Sequence, residues 1–241
     1  MTALQAALNG DSVHPAVPRT PDEIAADAAA CVAAGANLFH LHAFDDDGRE
    51  SLDGEHVGRV LRAVRAACPG TPLNVTTFAE IEPDVDRRFR LVSAWTELPD
   101  LVAANQGEDG IDELGETLAA RGVAVEACLL SVDDARRFVR SPRISSFARV
   151  VVEPLVGDPQ AALDLAAEIE DVVVAAGVTL EQLHHGVGAA SWDVIRRAAL
   201  RGHGVRVGLE DLDTLPDGSA ATSNADLVAA AAEIVAASRR A

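Results

Sequence analysis

The chain has 241 residues, with 20 basic against 38 acidic side chains and a formal net charge of −18. All basic residues are arginine, and there is no lysine. Schiff-base aldolases, pyridoxal-phosphate enzymes and P-loop nucleotidases each need a lysine amine, so these classes are excluded. The negative charge also argues against nucleic acid or an anionic membrane surface as a partner.

The remaining composition is typical of a globular protein that needs neither disulfides nor a membrane. Hydrophobic residues make up 49% of the chain and charged residues 24%. Cys31, Cys68 and Cys128 are widely spaced, which supports neither a disulfide framework nor a thiolate zinc knuckle. The N-terminus lacks the pattern of a signal peptide, and charges interrupt the alanine-rich runs. We therefore expect a cytoplasmic protein without a membrane span.

Short β-type runs alternate with helical runs at intervals of about 30 residues, which is typical of βα units. The predicted strands cover residues 4–8, 38–42, 73–76, 101–104, 123–128, 149–153, 183–185 and 205–208. The predicted helices cover residues 20–34, 54–67, a third stretch ending near 95, 111–120, 132–139, 159–175, 191–201 and 224–238. Eight such units favour a closed (β/α)8 TIM barrel of the α/β class over an open doubly wound sheet. No linker divides the chain, so we expect one domain over residues 1–241.

Polar side chains recur at the carboxyl ends of all the predicted strands, where barrel enzymes place their chemistry. They are Asn9, His40 and His42, Thr76 and Thr77, Asn105, Glu126, Glu153, His184 and His185, and Arg206 with Glu210 and Asp211. A barrel built only for stability has no reason to collect them there. Of the adjacent His184 and His185 only one can face inward, and we favour His185.

The pair His40 and His42 is the sharpest signal for a metal site. Side chains two residues apart on a strand point to the same face, so both imidazoles can bind one ion. The alternative is two unrelated histidines. In a closed barrel the last strand neighbours the first, which brings Glu210 within reach. Two histidines, a carboxylate and an open position are typical of catalytic zinc, although other divalent metals suit these ligands.

The adjacent acids Glu210 and Asp211 suggest two different roles. Glu210 can bind the metal, and Asp211, which points elsewhere, can act as a base. The alternative for Asp211 is a helix N-cap or a loop residue. Arg206 lies between Val205 and Val207, a costly position for a charge unless it is paired. Asp211 or a substrate carboxylate is the natural partner; the alternative is an arginine that points outward beneath a helix.

Several stretches form a recognisable pattern when taken together. They are residues 8–10, 14–15, 18–25, 34–36, 40–42, 47–51, 75–77, 125–127, 184–186 and 206–211. These stretches extend over nearly the whole chain, and together they resemble the β-keto acid cleavage enzyme family. The sequence departs from the family where Ala43-Phe44 follows His42, since members often have Pro-Arg there. That difference removes an arginine from this corner of the site.

The resemblance implies a TIM barrel that binds a divalent metal, usually zinc, through His40, His42 and Glu210. It implies that a β-keto acid and acetyl-CoA give acetoacetate and a new acyl-CoA. Asp211 and Arg206 would be the acid–base pair, and the residues lining the substrate pocket would be Thr76, Thr77, Asn105 and Glu126. The resemblance also implies a homo-oligomer.

The chemistry of this reaction agrees with the composition. Cleavage of a β-keto acid needs an electron sink at the ketone, and without lysine a Lewis-acid metal is the remaining route. Two alternatives stay open: a metal-dependent aldolase or hydrolase on the same site, and a non-catalytic barrel that binds metal or ligand. Candidate contacts for the polyanionic CoA are Arg196, Arg197 and the turn Gly186–Gly188, which is equally readable as a tight βα turn.

Overall fold

The computed structural model describes residues 2–240 as a closed barrel of eight parallel strands in sequential order. The strands are β1 Leu4–Ala7, β2 Leu38–Leu41, β3 Leu73–Val75, β4 Leu101–Asn105, β5 Ala124–Leu129, β6 Arg149–Val152, β7 Gln182–His184 and β8 Gly204–Val207. The helices are α1 Pro21–Ala34, α2 Gly54–Ala67, α3 Val85–Ser93, α4 Ile111–Ala119, α5 Val132–Phe138, α6 Pro159–Ala175, α7 Ser191–Leu200 and α8 Asn224–Ser238. Short 3-10 turns precede β6 and α7. The predicted TIM barrel is confirmed.

Local signals in the sequence set the helix ends. Thr20 caps α1 in a complete capping box with Glu23, and Pro21 occupies the first turn. Gly35 ends this helix at φ 116°, a conformation that glycine adopts without steric cost. Five other helices begin with a side-chain cap, at Asp53, Asp84, Ser131, Asp158 and Ser223. Each cap satisfies a helix N–H that would otherwise lack a partner.

The boundaries differ from the predicted ones by at most two residues, and those of α2, α6 and α8 agree at both ends. The third helix ends at Ser93 rather than near Trp95, because the chain turns there to bury the indole, whose Nε1–H donates to the Leu52 carbonyl at 2.8 Å. Strands β2 and β7 end one residue earlier than predicted. His42 and His185 therefore stand just beyond their strands.

The interior of the barrel contains both apolar and polar side chains. The apolar ones are buried residues from six strands or their ends, namely Ala3, Leu38, Leu101, Cys128, Val151 and Leu183. The buried His40, Asn74, Glu126 and Arg206 interact with one another or with neighbouring polar groups. The larger core cluster lies between the strands and the helices. Barrel closure thus brings the polar ends of separate strands into one site.

All three cysteines are free and buried. No helix within residues 2–240 is both long and apolar enough to cross a membrane.

Candidate active site

Three ligand-type side chains converge at the barrel mouth. His40 in β2 and His42 just after it point the same way, and their Nε2 atoms are 3.2 Å apart. Glu210, three residues after β8, places Oε1 3.5 Å from each Nε2 atom. The loop after β1 passes close to this group. A Cβ added at Gly10 would lie only 2.7 Å from Cγ of Glu210. We call His40, His42 and Glu210 the mouth group.

The outer nitrogen of each imidazole is held by a polar partner. Nδ1 of His40 lies 2.7 Å from Oδ1 of Asn74, its register neighbour in β3. Nδ1 of His42 hydrogen-bonds the carboxylate of Glu50, and Asn9 accepts the His42 backbone N–H at 2.9 Å. Acceptors at both Nδ1 atoms favour the tautomers that leave Nε2 free for a metal. The two Nε2 atoms then face a common point.

The separations within the mouth group fit a divalent metal. Ligand atoms about 2.1 Å from a tetrahedral ion are about 3.4 Å apart, close to the 3.2 Å and 3.5 Å distances here. Oε2 of Glu210 is buried without a hydrogen-bond partner. Two imidazole nitrogens and a carboxylate are a donor set that suits zinc and other divalent transition metals.

Burial and neighbouring charges separate the pKa values of the two histidines. Burial lowers the pKa of His40 to about 4, although Glu210 acts in the opposite direction. Burial also disfavours the charge on His42, but the carboxylates of Glu210 and Glu50 outweigh it and raise its pKa to about 9. Burial opposes ionisation of Glu210, yet Arg206 and the histidines hold its pKa well below the usual range. The mouth group thus has an ionised carboxylate.

A second polar group adjoins the first. The guanidinium of Arg206 donates to both oxygens of Asp211, through Nε at 3.1 Å and a terminal nitrogen at 2.9 Å, and it also contacts Glu210. Nδ1 of His185 lies 3.3 Å from Asp211, and its Nε2 lies 3.5 Å from Glu153. The arginine between two valines is therefore inward and paired. His185, rather than His184, faces the interior.

These contacts keep Asp211 ionised. Burial would raise the pKa of Asp211, but Arg206 and His185 outweigh it and lower that pKa. The pKa of His185 rises to about 9, since Asp211 and Glu153 overcome the opposing effects of burial and Arg206. A carboxylate held in this way is always in its basic form near neutrality, but it is a weak base. It can take a proton from a substrate carbon only if the pKa of that carbon acid is itself lowered in the site.

One cavity of about 180 Å³ opens onto both groups. Thr76 and Asn105 line it, as does Asp211. Thr77 is not among the lining residues, and its hydroxyl donates to the Ala103 carbonyl at 2.7 Å. Of the four side chains predicted to contact substrate, the structure thus brings Thr76 and Asn105 to the cavity.

Glu126 lies beneath the cavity rather than in its wall. Its Oε2 accepts from Nδ2 of Asn74 at 2.7 Å, and its Oε1 lies 3.2 Å from Nε of Arg149. Burial raises the pKa of Glu126 to about 7. Asn74 in turn contacts His40, so Glu126 reaches the mouth group through one intermediate side chain.

The sequence did not indicate the roles of Asn74 and Glu50. Asn74 could have been found from the two-residue period of a strand, because it shares a face with Thr76. Glu50 lies in the acidic turn after His42, where no periodic pattern marks it.

The arginines considered for CoA binding lie away from this cavity. Arg197, in the last turn of α7, pairs with Glu170 at 2.7 Å, and Arg196 pairs with Asp193 at 3.0 Å. In the glycine turn, the N–H of Gly188 donates to the Asp211 carbonyl at 2.8 Å. This contact makes the turn a support for Asp211, and Val187 beside it lines the cavity.

Known proteins resemble this chain in sequence and in fold. A 3-keto-5-aminohexanoate cleavage enzyme of Fusobacterium nucleatum is 28% identical over 233 residues, covering 89% of this chain and 82% of the relative. A 3-oxoadipate:acetyl-CoA acetyltransferase of Cupriavidus necator is 39% identical over 64 residues, covering 27% of this chain and 22% of the relative. The apo structure of ObcA superimposes with a TM-score of 0.78 at 17% identity, covering 94% of this chain and 63% of that longer chain. At this identity, the likeness to ObcA shows the fold alone.

The sequence profile of the β-keto acid cleavage enzymes matches residues 2–241. This match spans nearly the entire barrel, including both polar groups at its mouth. The chain therefore belongs to the β-keto acid cleavage enzyme family.

Proposed function

We propose that this enzyme uses zinc to convert a β-keto acid and acetyl-CoA into acetoacetate and a new acyl-CoA, a retro-Claisen type of acyl transfer. The observation that carries the proposal is the mouth group lying beside the Arg206–Asp211 pair on one cavity. Family membership supports the β-keto acid, and the Cupriavidus relative, named as an acetyl-CoA acetyltransferase, supports the co-substrate.

The exchange balances without any further reactant. C2 of the β-keto acid loses a proton and bonds to the acetyl carbonyl carbon, and the CoA thiolate leaves. The thiolate then attacks C3, the bond between C2 and C3 breaks, and C2 regains a proton. The original acyl group is now the thioester, and C2 belongs to acetoacetate.

His40, His42 and Glu210 would hold the metal, and Asn74 and Glu50 would orient the two imidazoles. When bound, zinc supplies a Lewis acid that polarises the ketone. Asp211 takes the C2 proton and later returns it. Arg206 keeps Asp211 ionised and fixes the orientation of its carboxylate by donating to both oxygens.

We assign the substrate contacts to Thr76 and Asn105 at the cavity wall. The resemblance also implies Thr77 and Glu126, which lie behind that wall and would act through the neighbours they bond, Ala103 and Asn74. We also infer a homo-oligomer, as the family resemblance implies, with one domain over residues 1–241. A reducing cytoplasmic setting fits the three unpaired, buried cysteines.

Metal analysis combined with a panel of β-keto acids tests the proposal. The purified enzyme is expected to contain about one zinc per chain and to form acyl-CoA products, identified by mass, only when acetyl-CoA is present. Turnover without acetyl-CoA would indicate an aldolase or a hydrolase instead. Bound metal without turnover of any β-keto acid would indicate a non-catalytic barrel.

A further inference from the structure

The cavity has two chemically different sides. Strands β8, β1 and β2 lie together in the closed barrel and carry the mouth group, whereas β4, β5 and β6 lie across from them. On the far side the cavity is lined by the apolar Ala103 in β4, Leu130 after β5 and Leu155 after β6, with Phe78 beside them after β3. Two polar residues of the same strands or their ends, Asn105 and Glu153, also line this side, and Nδ2 of Asn105 already donates to Glu108 at 2.9 Å. We call Phe78, Ala103, Leu130 and Leu155 the apolar wall.

Among residues 2–240, no free cation faces the apolar wall. Arg206 is the only arginine or lysine among the residues that line the cavity, and Asp211 and Glu210 already accept its N–H groups. In the loop after β2, Phe44 is buried at 5% exposure. The guanidinium of Arg19 lies over the Phe44 ring at 5.0 Å and donates to the Ser12 carbonyl at 2.9 Å, so it is occupied as well.

In the same described part of the chain, no free carboxylate faces this wall either. Glu153 is opposed by His185 at 3.5 Å, and Asp211 by Arg206. The exposed Asp11 follows β1, on the same side of the barrel as the metal-binding histidines. A charged group placed against the apolar wall would therefore lose water without gaining a partner, which is strongly unfavourable.

We propose that the β-keto acid used by this enzyme has a short, uncharged, apolar acyl chain, which packs against Phe78, Leu130 and Leu155. This inference rests on the proposed function, in which the ketone and carboxylate occupy the metal side. The cavity of about 180 Å³ is smaller than the roughly 300–1,000 Å³ of sites for drug-sized ligands, so the chain must be short. The wall thus selects by both size and charge.

Three six-carbon β-keto acids test this with the metal-loaded enzyme and acetyl-CoA. They are 3-oxohexanoate, 3-oxoadipate and 3-keto-5-aminohexanoate, which share the reacting atoms and differ only in the distal part. We expect kcat/KM for 3-oxohexanoate to exceed that for each charged acid by about 100-fold or more. Equal or faster turnover of either charged acid would overturn the substrate class and leave the proposed function standing. Failure of all three would contradict the proposed function itself.

A variant with a new charge at the wall provides a second test. Leu155 is 49% exposed at the rim, so Leu155→Arg is compatible with folding. We expect this variant to raise kcat/KM for 3-oxoadipate and to lower it for 3-oxohexanoate, shifting the ratio by about tenfold or more. Leu200→Arg, at an exposed leucine in the last turn of α7, is the matched control and should leave the ratio unchanged. An unchanged ratio in Leu155→Arg would contradict contact between the acyl chain and this wall.

Discussion

Two groups of the same composition, each two histidines and one glutamate, lie in different parts of this barrel. The mouth group opens onto the cavity, whereas Glu170 in α6, His184 in β7 and His203 before β8 lie beneath the helices, and we call these three the outer group. In both groups the ligand atoms lie within 4.8 Å of one another. Composition and proximity alone therefore do not distinguish them.

The difference lies in what already occupies the carboxylate. Both oxygens of Glu170 are taken, by Arg197 at 2.7 Å, by Arg201 at 2.7 Å and by His203 at 2.8 Å. The rings of His184 and His203 stack in parallel with centroids 4.7 Å apart. Oε2 of Glu210, in contrast, has no hydrogen-bond partner, and Nε2 of each mouth-group histidine points at its carboxylate.

The charges around such a group therefore determine its role. Burial opposes ionisation of Glu170, but its hydrogen bonds from Arg201, His203 and Arg197 lower its pKa to about 2. A cation entering there would compete with two guanidinium groups. We therefore expect the mouth group to bind metal. We expect the outer group to be structural, holding α6 against α7 and the neighbouring strands.

The largest effect is expected for His40→Ala. Loss of one ligand should remove the metal, and with it about 1,000-fold or more of kcat/KM, because a Lewis acid contributes several kcal/mol to such a step. His203→Ala is the matched control from the outer group and should keep both metal and activity. Metal analysis and steady-state kinetics check both variants, and retention of metal by His40→Ala would contradict the mouth group as the metal site.

Asp211→Asn should lower kcat by about 100- to 10,000-fold, the usual contribution of a general base. The metal content should stay near that of the wild type, because the mouth group is intact. Asp213→Asn, at an exposed acid two residues along the chain, should behave like the wild type in the same kinetic and metal assays. Wild-type kcat in Asp211→Asn would rule out the proposed base.

Glu50→Gln keeps the shape of the side chain and removes the charge next to His42. The metal affinity should fall by about 10- to 100-fold, because partners of this kind orient the ligand and raise its basicity. Competition with a chromophoric chelator measures the dissociation constant. The exposed Glu55→Gln is the control, and equal affinities in the two variants would show that Glu50 does not support the site.

Glu170→Gln should change neither metal content nor kcat. It should lower the free energy of unfolding by about 3 kcal/mol near neutrality, because it leaves Arg197 and Arg201 without their carboxylate. The pKa of Glu170 falls from 4.5 to about 2 on folding, so its stabilisation is complete above 4.5 and is lost as the pH falls towards 2. Urea unfolding at several pH values should show the two proteins converging in acid. A difference that grows in acid would contradict the role of this carboxylate.

The parts of the structure that follow from local periodicity were predictable from the sequence. Eight alternating strand and helix patterns gave the barrel, and the spacing of His40 and His42 placed both imidazoles on one face. The position of Arg206 between valines required a buried partner, and Asp211 is that partner. Each of these depends on neighbours within a few residues.

The parts that depend on register and loop closure were not predictable. Asn74 meets His40 because the register of β2 and β3 pairs them, and Glu50 returns to His42 through the bridge between Phe44 and Glu50. Strand β5 continues to Leu129, beyond its predicted end, so Leu130 reaches the cavity and Glu126 stays beneath it. These outcomes are set by the packing of distant segments.

The most direct measurement is an anomalous difference map from crystals of the enzyme grown with zinc, recorded on both sides of the zinc absorption edge. One peak should lie among Nε2 of His40, Nε2 of His42 and the Glu210 carboxylate, with none beside Glu170, His184 and His203. A zinc peak at the outer group, or the absence of one at the mouth group, would contradict the assignment of the metal site.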